Sequence, residues 1–466
     1  MRRCVFRHKN GLFRSDIELT AAGFGQPLRY LPAREYHSRQ QLSSPTPPRC
    51  TRHQRPKVLR SGSAIVSRRS LITDAIIENH IAASETPTFA FAFDIDGVLL
   101  RSAKPLPGAT EALLHLQKNN IPFILLTNGG GKLESERVSQ LSKKLGVPLS
   151  EDNFVQSHTP FKLVVESLSQ RRGKSLEDTT VLVTGGDGDK CRQVAESYGF
   201  RNVVIPGDIL TACPEIWPFS KIFSDSYKAA ARPLPRPIDP TNPEKSLQID
   251  AIFVFNDPRD WALDTQIIID LLMSKNGVLG TVSEKNGNES LPNLGYQQDM
   301  QPKLYFSNPD LLWAAAYHMP RLGQGGFQAA LAGVWNQVTR AKLKRTVIGK
   351  PHAATYTYAE TVLLKHRKKM LDELLSRETG KKKNGAGKLS RVFMVGDNPA
   401  SDIKGANDFN SPIGTSWTSI LVKTGVFEDG TEPEFKPKVI VDNVLDAVKW
   451  ALEQEGWKDN VEKVES

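Results

Sequence analysis

The stretch that most constrains this chain is residues 89–100, which read Phe-Ala-Phe-Ala-Phe-Asp-Ile-Asp-Gly-Val-Leu-Leu. The first five residues are apolar, a pattern that predicts a short strand buried on both faces. The strand delivers two acids, Asp94 and Asp96, and then Gly97, a residue suited to a sharp turn. Neighbouring carboxylates repel each other, and an unpaired buried ion typically costs about 3–5 kcal/mol. A cation is the natural partner of this pair, although an ordinary turn would explain the segment equally well.

Beyond this stretch, strand-like runs alternate with helical patterns, which is typical of an α/β protein with a parallel sheet between helices. The predicted strands are 89–93, 123–126, 154–155, 181–184, 251–255, 304–306, 346–348, 392–395, 420–422 and 439–441. Helices are predicted over 109–119, 133–145, 265–272 and 444–452. A further helix is expected to bury one apolar face made of Phe327, Leu331, Val334 and Val338.

The positive charge of the chain belongs to its N-terminal segment. Residues 1–70 hold 15 Lys or Arg and 3 acids, which leaves 46 basic and 48 acidic residues of the totals of 61 and 51. The rest of the chain is near neutral, which removes the main argument for a nucleic-acid partner. The segment is rich in Arg, contains Ser and lacks the apolar core of about 7–15 residues of a secretory signal. It predicts a mitochondrial transit peptide, with a disordered basic tail as the alternative.

Two further classes of protein are disfavoured. No window approaches the roughly 18 apolar residues of a transmembrane helix, so we expect no membrane span. Of the four cysteines, only Cys191 and Cys213 lie beyond the N-terminal segment. They make no disulfide framework and lack metal-ligand spacing, which suits a reducing compartment.

Three segments allow more than one interpretation. Residues 185–189, Gly-Gly-Asp-Gly-Asp, resemble a dinucleotide fingerprint, but Cys191 replaces its third glycine, which favours a tight strand-to-helix turn. The Pro-rich residues 232–243 are typical of a linker-like insertion. The Lys-rich residues 380–388 are typical of a solvated loop, with a phosphate or lipid-headgroup patch as the lesser alternative.

Polar signatures follow four of the predicted strands directly: Asp94 with Asp96, Thr127 with Asn128, Lys350, and Asp397 with Asp402. Each alone has a simpler explanation as a turn or a solvated side chain. Ligands of open parallel sheets bind outside the carboxyl ends of the strands. If these strands share one sheet, the four signatures meet at one edge of it.

As a set, these motifs resemble the haloacid dehalogenase (HAD) superfamily of phosphohydrolases: D-x-D-G-V, a strand-end Thr, a Lys, and G-D-x-x-x-x-D. Thr-Asn-Gly-Gly-Gly, Gly-Lys-Pro and the large insert between the second and third motifs are similar to subfamily IIA. The resemblance covers roughly residues 86–452. It implies a Rossmann-like parallel-sheet core over 86–169 and 325–460, an inserted α/β (C2-type) cap over 170–324, and a leader over 1–70.

The resemblance also implies an activity, the cleavage of a small phosphate monoester through an aspartyl-phosphate. It makes Asp94 the nucleophile, and Asp96 the group that protonates the leaving oxygen and later takes a proton from water. Lys350 would neutralise both the nucleophile and the transferring phosphoryl group. The hydroxyl of Thr127 and the backbone N–H groups of Asn128 and Gly129 would bind the phosphoryl oxygens.

A Mg²⁺ ion is the expected cofactor, because it is a hard cation that prefers oxygen ligands. We expect Asp94, Asp397 and the backbone carbonyl of Asp96 to hold it. Asp402 is expected behind this set, where it would orient Lys350 or a metal-bound water.

Residues of the cap would recognise the leaving group of the substrate. Candidates stand at the ends of predicted strands: Asp187, Asp189, Asn256, Asp257, Arg259 and Asn308. Capping and turn roles are the alternative for the Asp and Asn residues.

The expected partner is a small phosphorylated metabolite in mitochondria, with the matrix as the expected location and a homodimer as a further option. The resemblance alone implies a link to glycerophospholipid metabolism. Three other functions stay open at this point: a phosphotransferase, a non-catalytic metabolite-binding or scaffold protein on the same fold, and, more remotely, a nucleotide-dependent oxidoreductase.

Overall fold

The computed structural model describes residues 87–219, 223–313, 315–379 and 388–457. The chain divides into the units Met1–Arg68 and Arg69–Ser466, and the described residues all belong to the second. The predicted leader, and the Lys-rich loop apart from Lys388, lie outside the described residues. Among the helices that the structure does describe, none has the length and hydropathy needed to cross a membrane.

The strands alternate with helices along the chain. In chain order the strands are β1 Phe89–Phe93, β2 Leu100–Arg101, β3 Lys104–Pro105, β4 Phe123–Leu126, β5 Phe154–Val155, β6 Thr180–Thr184, β7 Asn202–Val204, β8 Ala251–Val254, β9 Lys303–Phe306, β10 Leu312–Trp313, β11 Arg321–Leu322, β12 Thr346–Val347, β13 Arg391–Gly396, β14 Ser416–Val422 and β15 Val439–Val441. The α-helices are α1 Ala109–Lys118, α2 Glu134–Leu145, α3 Phe161–Arg172, α4 Lys190–Ser197, α5 Pro206–Ala212, α6 Ser224–Ala230, α7 Trp261–Met273, α8 Gln324–Thr339, α9 Ala353–Thr379, α10 Lys404–Asp408 and α11 Val444–Gln454.

The first sheet has the order β15-β14-β13-β1-β4-β5, and every pair in it is parallel. Its central strand β1 is buried along its whole length, as the apolar run predicts. Successive side chains point to opposite faces. Phe91 therefore packs with α1, α2 and α11 on one face, and Ala92 packs with α9 and α10 on the other. The predicted α/β architecture is confirmed.

The second sheet has the order β12-β9-β8-β6-β7 and is also parallel throughout. Leu182 of β6 packs on one face with α5, α7 and α8, and Val183 packs on the other with α3 and α4. This sheet and its helices are the cap.

Elements on both sides of the predicted cap, 170–324, also pack on the second sheet. At the start, Phe161 and Val165 of α3 already pack against the second sheet. At the end, α8 packs on that sheet and β12 pairs with β9. On this packing we propose cap bounds of about 161–347 in place of 170–324. The motif spacing could not reveal this, because α8 and β12 have the same local patterns in either domain.

The buried face of α8 is also different from the one expected. Phe327 and Leu331 are buried as predicted, whereas Val334 and Val338 are 43 % and 55 % exposed. Trp335 is fully buried in their place. The buried residues follow steps of four, and the indole offers far more apolar surface than a valine.

Two uncertain segments are explained by packing. At the turn after β6, a Cβ on Gly185 would lie 2.0 Å from the carbonyl oxygen of Asn256, and φ there is +104°. The close approach of the loop after β6 to the backbone of Asn256 thus requires glycine at this position. This agrees with the interpretation of residues 185–189 as a tight strand-to-helix turn. The Pro-rich segment 232–243 is no free linker, because Leu234 and Ile238 pack on the core beside the second sheet.

Candidate active site

Two buried side chains of opposite charge lie at the centre of the site. Asp94 follows β1, and its Oδ1 accepts a hydrogen bond of 2.6 Å from Nζ of Lys350. The same Nζ donates to the carbonyl oxygen of Leu126 at 2.8 Å and lies 2.7 Å from Oδ1 of Asp402. Lys350 is only 1 % exposed. The two hydrogen bonds and the close carboxylate of Asp402 take the place of water around the ammonium.

Burial and charge set the protonation of this pair. Burial lowers the pKa of Lys350, but the carboxylates of Asp402 and Asp94 more than offset this, so the pKa is raised. Burial raises the pKa of Asp94 to about 7, although Lys350 acts in the opposite direction. The lysine therefore stays charged at neutral pH, while an ionised Asp94 needs further positive charge.

Lys350 reaches the site by a route that the sequence did not predict. We expected its strand to share a sheet with β1 and β4, but β12 belongs to the second sheet. Lys350 lies where the chain crosses from β12 to α9, which packs on the first sheet. Asn128 fixes this crossing, because its Oδ1 accepts from the backbone N–H of Lys350 at 2.8 Å and its Nδ2 donates to the Lys350 carbonyl at 2.9 Å.

Two more buried acids follow β13, each held by a backbone N–H group. Oδ2 of Asp397 accepts from the N–H of Val426 at 2.7 Å, and Oδ2 of Asp402 accepts from that of Asn398 at 3.1 Å. Burial raises the pKa of Asp397 well above its usual range, and repulsion by Asp94 and Asp402 adds to the effect. These acids are held close together against their mutual repulsion.

The backbone also confines Asp397. A Cβ added to Gly425 would lie 1.8 Å from its Oδ2, and one added to Gly97 would lie 2.4 Å from the same atom. Gly97 in addition has φ of +94°, a conformation that side chains rarely adopt. Both glycines are thus required for the position of this carboxylate.

The three buried carboxylates suit a divalent cation. One oxygen each of Asp94, Asp397 and Asp402 lie within 4.8 Å of one another. If all three are ionised, Lys350 leaves two negative charges uncompensated in a buried site. Oδ1 of Asp402 is close to Lys350 Nζ but has no aligned hydrogen bond, so it keeps capacity for another cation. The carboxylate of Asp402, which we expected to orient Lys350 or a metal-bound water, lies 2.7 Å from Lys350 Nζ and close to those of Asp94 and Asp397.

Asp96, Thr127 and Gly129 also line the site. The side chain of Asp96 is 33 % exposed, with Oδ2 at 3.8 Å from Nη2 of Arg137. Burial is the main cause that raises the pKa of Asp96. The N–H of Gly129, expected to bind a phosphoryl oxygen, donates here to Oγ1 of Thr127 at 2.9 Å.

These residues line a cavity of about 270 Å³. From the predicted core motifs it includes Asp94, Asp96, Thr127, Asn128, Gly129, Lys350 and Asp397, whereas Asp402 contacts Lys350 without lining the cavity. From the cap candidates it includes Asn256, Asp257, Arg259 and Asn308. Asp187 and Asp189 lie outside the cavity: Asp187 pairs with Arg259 at 2.9 Å, and Asp189 accepts from Gln193 at 2.9 Å.

Sequence reasoning missed several lining residues, of which Asp310 is the best connected. Its Oδ2 accepts from Nδ2 of Asn128 at 3.0 Å, and burial raises its pKa to about 7. The signal was present, because Asp310 stands two residues after the candidate Asn308 in the loop that follows β9. The other residues missed are Gly130, Lys132, Arg137, Leu312, Trp313, Asn398, Ser401 and Val426.

Comparison with known proteins shows the family of the chain. The haloacid dehalogenase-like hydrolase family matches residues 91–201, and a second, HAD-hydrolase-like family matches residues 347–447. A mitochondrial hydrolase of Saccharomyces cerevisiae is 41 % identical over 372 residues, which cover 78 % of this chain and 96 % of the yeast protein.

A second relative is a Schizosaccharomyces pombe protein described as a fusion of a CMP-forming cardiolipin synthase with a mitochondrial hydrolase. It is 42 % identical over 364 residues, which cover 78 % of this chain. The chain thus spans about half of the fusion protein, 53 % of its length. Among solved structures, a p-nitrophenyl phosphatase from Archaeoglobus fulgidus aligns at 16 % identity and a TM-score of 0.45, over 78 % of this chain and 99 % of that one.

Proposed function

The chain is a hydrolase that belongs to the haloacid dehalogenase-like family, and on that premise we propose that it cleaves a phosphate monoester through an aspartyl-phosphate on Asp94. The observation that supports this most directly is the buried contact of 2.6 Å between Lys350 and Asp94. An anionic nucleophile can approach a phosphate dianion only where positive charge is held in advance. Lys350 supplies such a charge beside the attacking oxygen.

In the first step, a carboxylate oxygen of Asp94 attacks phosphorus while the bond from phosphorus to the ester oxygen breaks. Asp96 gives its proton to the departing oxygen, which leaves as an alcohol. The raised pKa of Asp96 supports this role, because an acid must hold its proton until the bond breaks. Lys350 and the hydroxyl of Thr127 face the phosphoryl oxygens.

In the second step, Asp96 takes a proton from a water molecule whose oxygen attacks phosphorus. The bond from phosphorus to Asp94 then breaks, which releases inorganic phosphate and restores the carboxylate. General acid–base catalysis of this kind typically contributes roughly 10²–10⁴-fold in rate.

Mg²⁺ is the proposed cofactor, held by Asp94, Asp397 and the carbonyl of Asp96, with the carboxylate of Asp402 close enough to join them. The crowding of Asp94, Asp397 and Asp402 supports this choice. When bound, the ion would offset the repulsion among the carboxylates and the charge of the phosphate. Lys350 would remain charged in either state.

We place the reaction in mitochondria, with the matrix as the proposed compartment. The Arg-rich, acid-poor segment 1–70 supports import, and the names of both relatives include a mitochondrial hydrolase. The fusion relative carries a cardiolipin synthase on the same chain. This supports a place for the reaction close to glycerophospholipid metabolism.

The proposal is tested with the full-length chain, p-nitrophenyl phosphate and a titration of Mg²⁺. We expect Mg²⁺-dependent phosphate release that falls by at least about 10³-fold in Asp94→Asn and in Lys350→Ala. Asp225→Asn, which changes an exposed acid of α6 outside the cavity, should keep wild-type activity. Equal turnover by wild type and Asp94→Asn would refute the mechanism. As a readout besides activity, Mg²⁺ should raise the thermal midpoint of the wild type and not that of Asp397→Asn.

A further inference from the structure

The hairpin of β10 and β11 lies at the mouth of the cavity and is unusually apolar. Leu312 and Trp313 line the same cavity as Asp94 and Lys350. They are nevertheless 39 % and 41 % exposed, in contrast to the buried apolar residues of both domain cores. An exposed tryptophan beside a reaction centre presents a large apolar surface to whatever enters.

The apolar surface continues outward from the cavity along the same segment. Leu322 lies directly opposite Leu312 in the register of the hairpin and is 58 % exposed. Arg321, which is also exposed, lies opposite Trp313, so the apolar pair across the hairpin is Leu312 with Leu322. Apolar side chains that lie side by side on a surface mark binding sites more often than scattered ones do. This pair extends the apolar part of the cavity lining onto the exposed strand β11.

The remainder of the lining is charged. It includes Lys132, Arg137 and Arg259, each of which lies beside a carboxylate: Glu136 at 3.6 Å, Asp96 at 3.8 Å and Asp187 at 2.9 Å, respectively. The opening thus combines charged side chains of both signs with an apolar hairpin. This combination suits a ligand that has an anionic group at one end and an apolar chain at the other.

Leu312 and Trp313 mark where such a chain would lie. Both border the cavity of about 270 Å³ and are themselves partly exposed, so an apolar substituent bound beside the phosphate would run past them towards solvent.

We propose that the substrate is an amphiphilic phosphate monoester, whose phosphate binds at Asp94 and whose apolar chain lies along the β10–β11 hairpin. This inference rests on the proposed phosphatase function and names its substrate class. Trp313 and Leu312 are the residues that select for the chain. They contact the part of the substrate that does not react.

The test compares the n-alkyl phosphates butyl, octyl and decyl phosphate, each below its critical micelle concentration, with the full-length chain. In the wild type, kcat/KM should rise roughly tenfold or more from butyl to decyl phosphate, because each added methylene can bury apolar area. Trp313→Ala and Leu312→Ala should flatten this rise. The matched control is Leu114→Ala, which removes a leucine of α1 that is 40 % exposed and should keep the wild-type slope.

A binding arm separates this inference from the proposed function. The affinities of the non-hydrolysable butyl and decyl phosphonates, measured by calorimetry, should differ by a similar factor in the wild type and by much less in Trp313→Ala. Binding that depends on chain length, without any turnover, would refute the phosphatase function. It would support the proposal that the hairpin binds the apolar chain. Turnover with equal kcat/KM for all three phosphates would overturn the hairpin proposal and leave the phosphatase function intact.

A vesicle arm tests for a different occupant of the hairpin. Full-length chain is sedimented with phosphatidylcholine vesicles that contain no phosphate monoester. If the wild type binds these vesicles, Trp313→Ala does not, and chain length has no effect on kcat/KM, the hairpin docks on membranes and the proposal is overturned. Absence of vesicle binding together with the chain-length effect supports it.

Discussion

Nζ of Lys350 lies 2.6 Å from Oδ1 of Asp94, although the two residues are 256 positions apart in the chain. One follows a strand of the cap sheet and the other follows the central strand of the core sheet. The contact therefore joins elements of the two sheets, and neither sheet alone provides both charges.

The partners of this contact should differ in their effect on stability. Lys350→Met leaves Asp94, Asp397 and Asp402 buried without their cation, so we expect a loss of about 3–5 kcal/mol in the free energy of unfolding. Asp94→Asn removes one repelling carboxylate and keeps an oxygen that can accept from Lys350, so stability should be equal or higher. Urea denaturation without Mg²⁺ measures both. A loss in Asp94→Asn as large as that in Lys350→Met would contradict the charge argument.

Gly425→Ala should displace Asp397, because its Cβ would lie 1.8 Å from Oδ2. We expect a loss of roughly 10–100-fold in Mg²⁺ affinity, comparable to the loss of a residue that orients a ligand. The measurement is the Mg²⁺-dependent rise of the thermal midpoint.

Gly333→Ala is the matched control for this change. It lies on the exposed side of α8, and its Cβ would have no heavy atom within 4 Å. It should bind Mg²⁺ like the wild type and gain about 0.5–1 kcal/mol of stability from helix propensity. Unchanged Mg²⁺ binding in Gly425→Ala would show that Asp397 is not confined as described.

His158 should make the protein less stable in acid. Burial lowers its pKa from 6.5 to about 4, although Glu134 acts in the opposite direction. The unfolded chain therefore binds a proton near pH 6.5 and the folded chain only near pH 4, so stability falls as the pH decreases between these values. Relative to His158→Asn, the wild type should lose about 2 kcal/mol between pH 7 and pH 5. Chemical denaturation of both proteins at both pH values tests this, and parallel pH dependence would refute it.

The two sides of α8 should respond differently to substitution. Trp335→Ala removes a fully buried indole from the cap core and should cost about 3–5 kcal/mol. Val338→Lys changes a residue that is 55 % exposed and should stay within about 0.5 kcal/mol of the wild type. Thermal unfolding in the presence of Mg²⁺ distinguishes them. If Val338→Lys lost more stability than Trp335→Ala, the buried face of α8 would be the one that the sequence pattern predicted.

Much of the fold could be predicted because its signals are local. The all-apolar run 89–93 indicates a strand buried on both faces, and the alternation of such runs with helical patterns indicates a parallel sheet. Asp94, Asp96, Thr127 and Asp397 follow strands of one sheet, so their convergence followed from the topology. Periodicity was less reliable for α8, where Trp335 displaced Val334 and Val338 from the core.

The sequence by itself identified the candidate charged residues of the site, because the carboxylates, the lysine and the neighbouring glycines stand in short, recognisable motifs. Only the tertiary structure decided that Lys350 arrives from the cap sheet, that Asp402 joins Asp94 and Asp397, and that Asp310 and Trp313 border the cavity. The physical reason is that local periodicity reports which side of an element is apolar. It does not report which distant element covers that side, and burial and close approach of charges arise only when the elements pack.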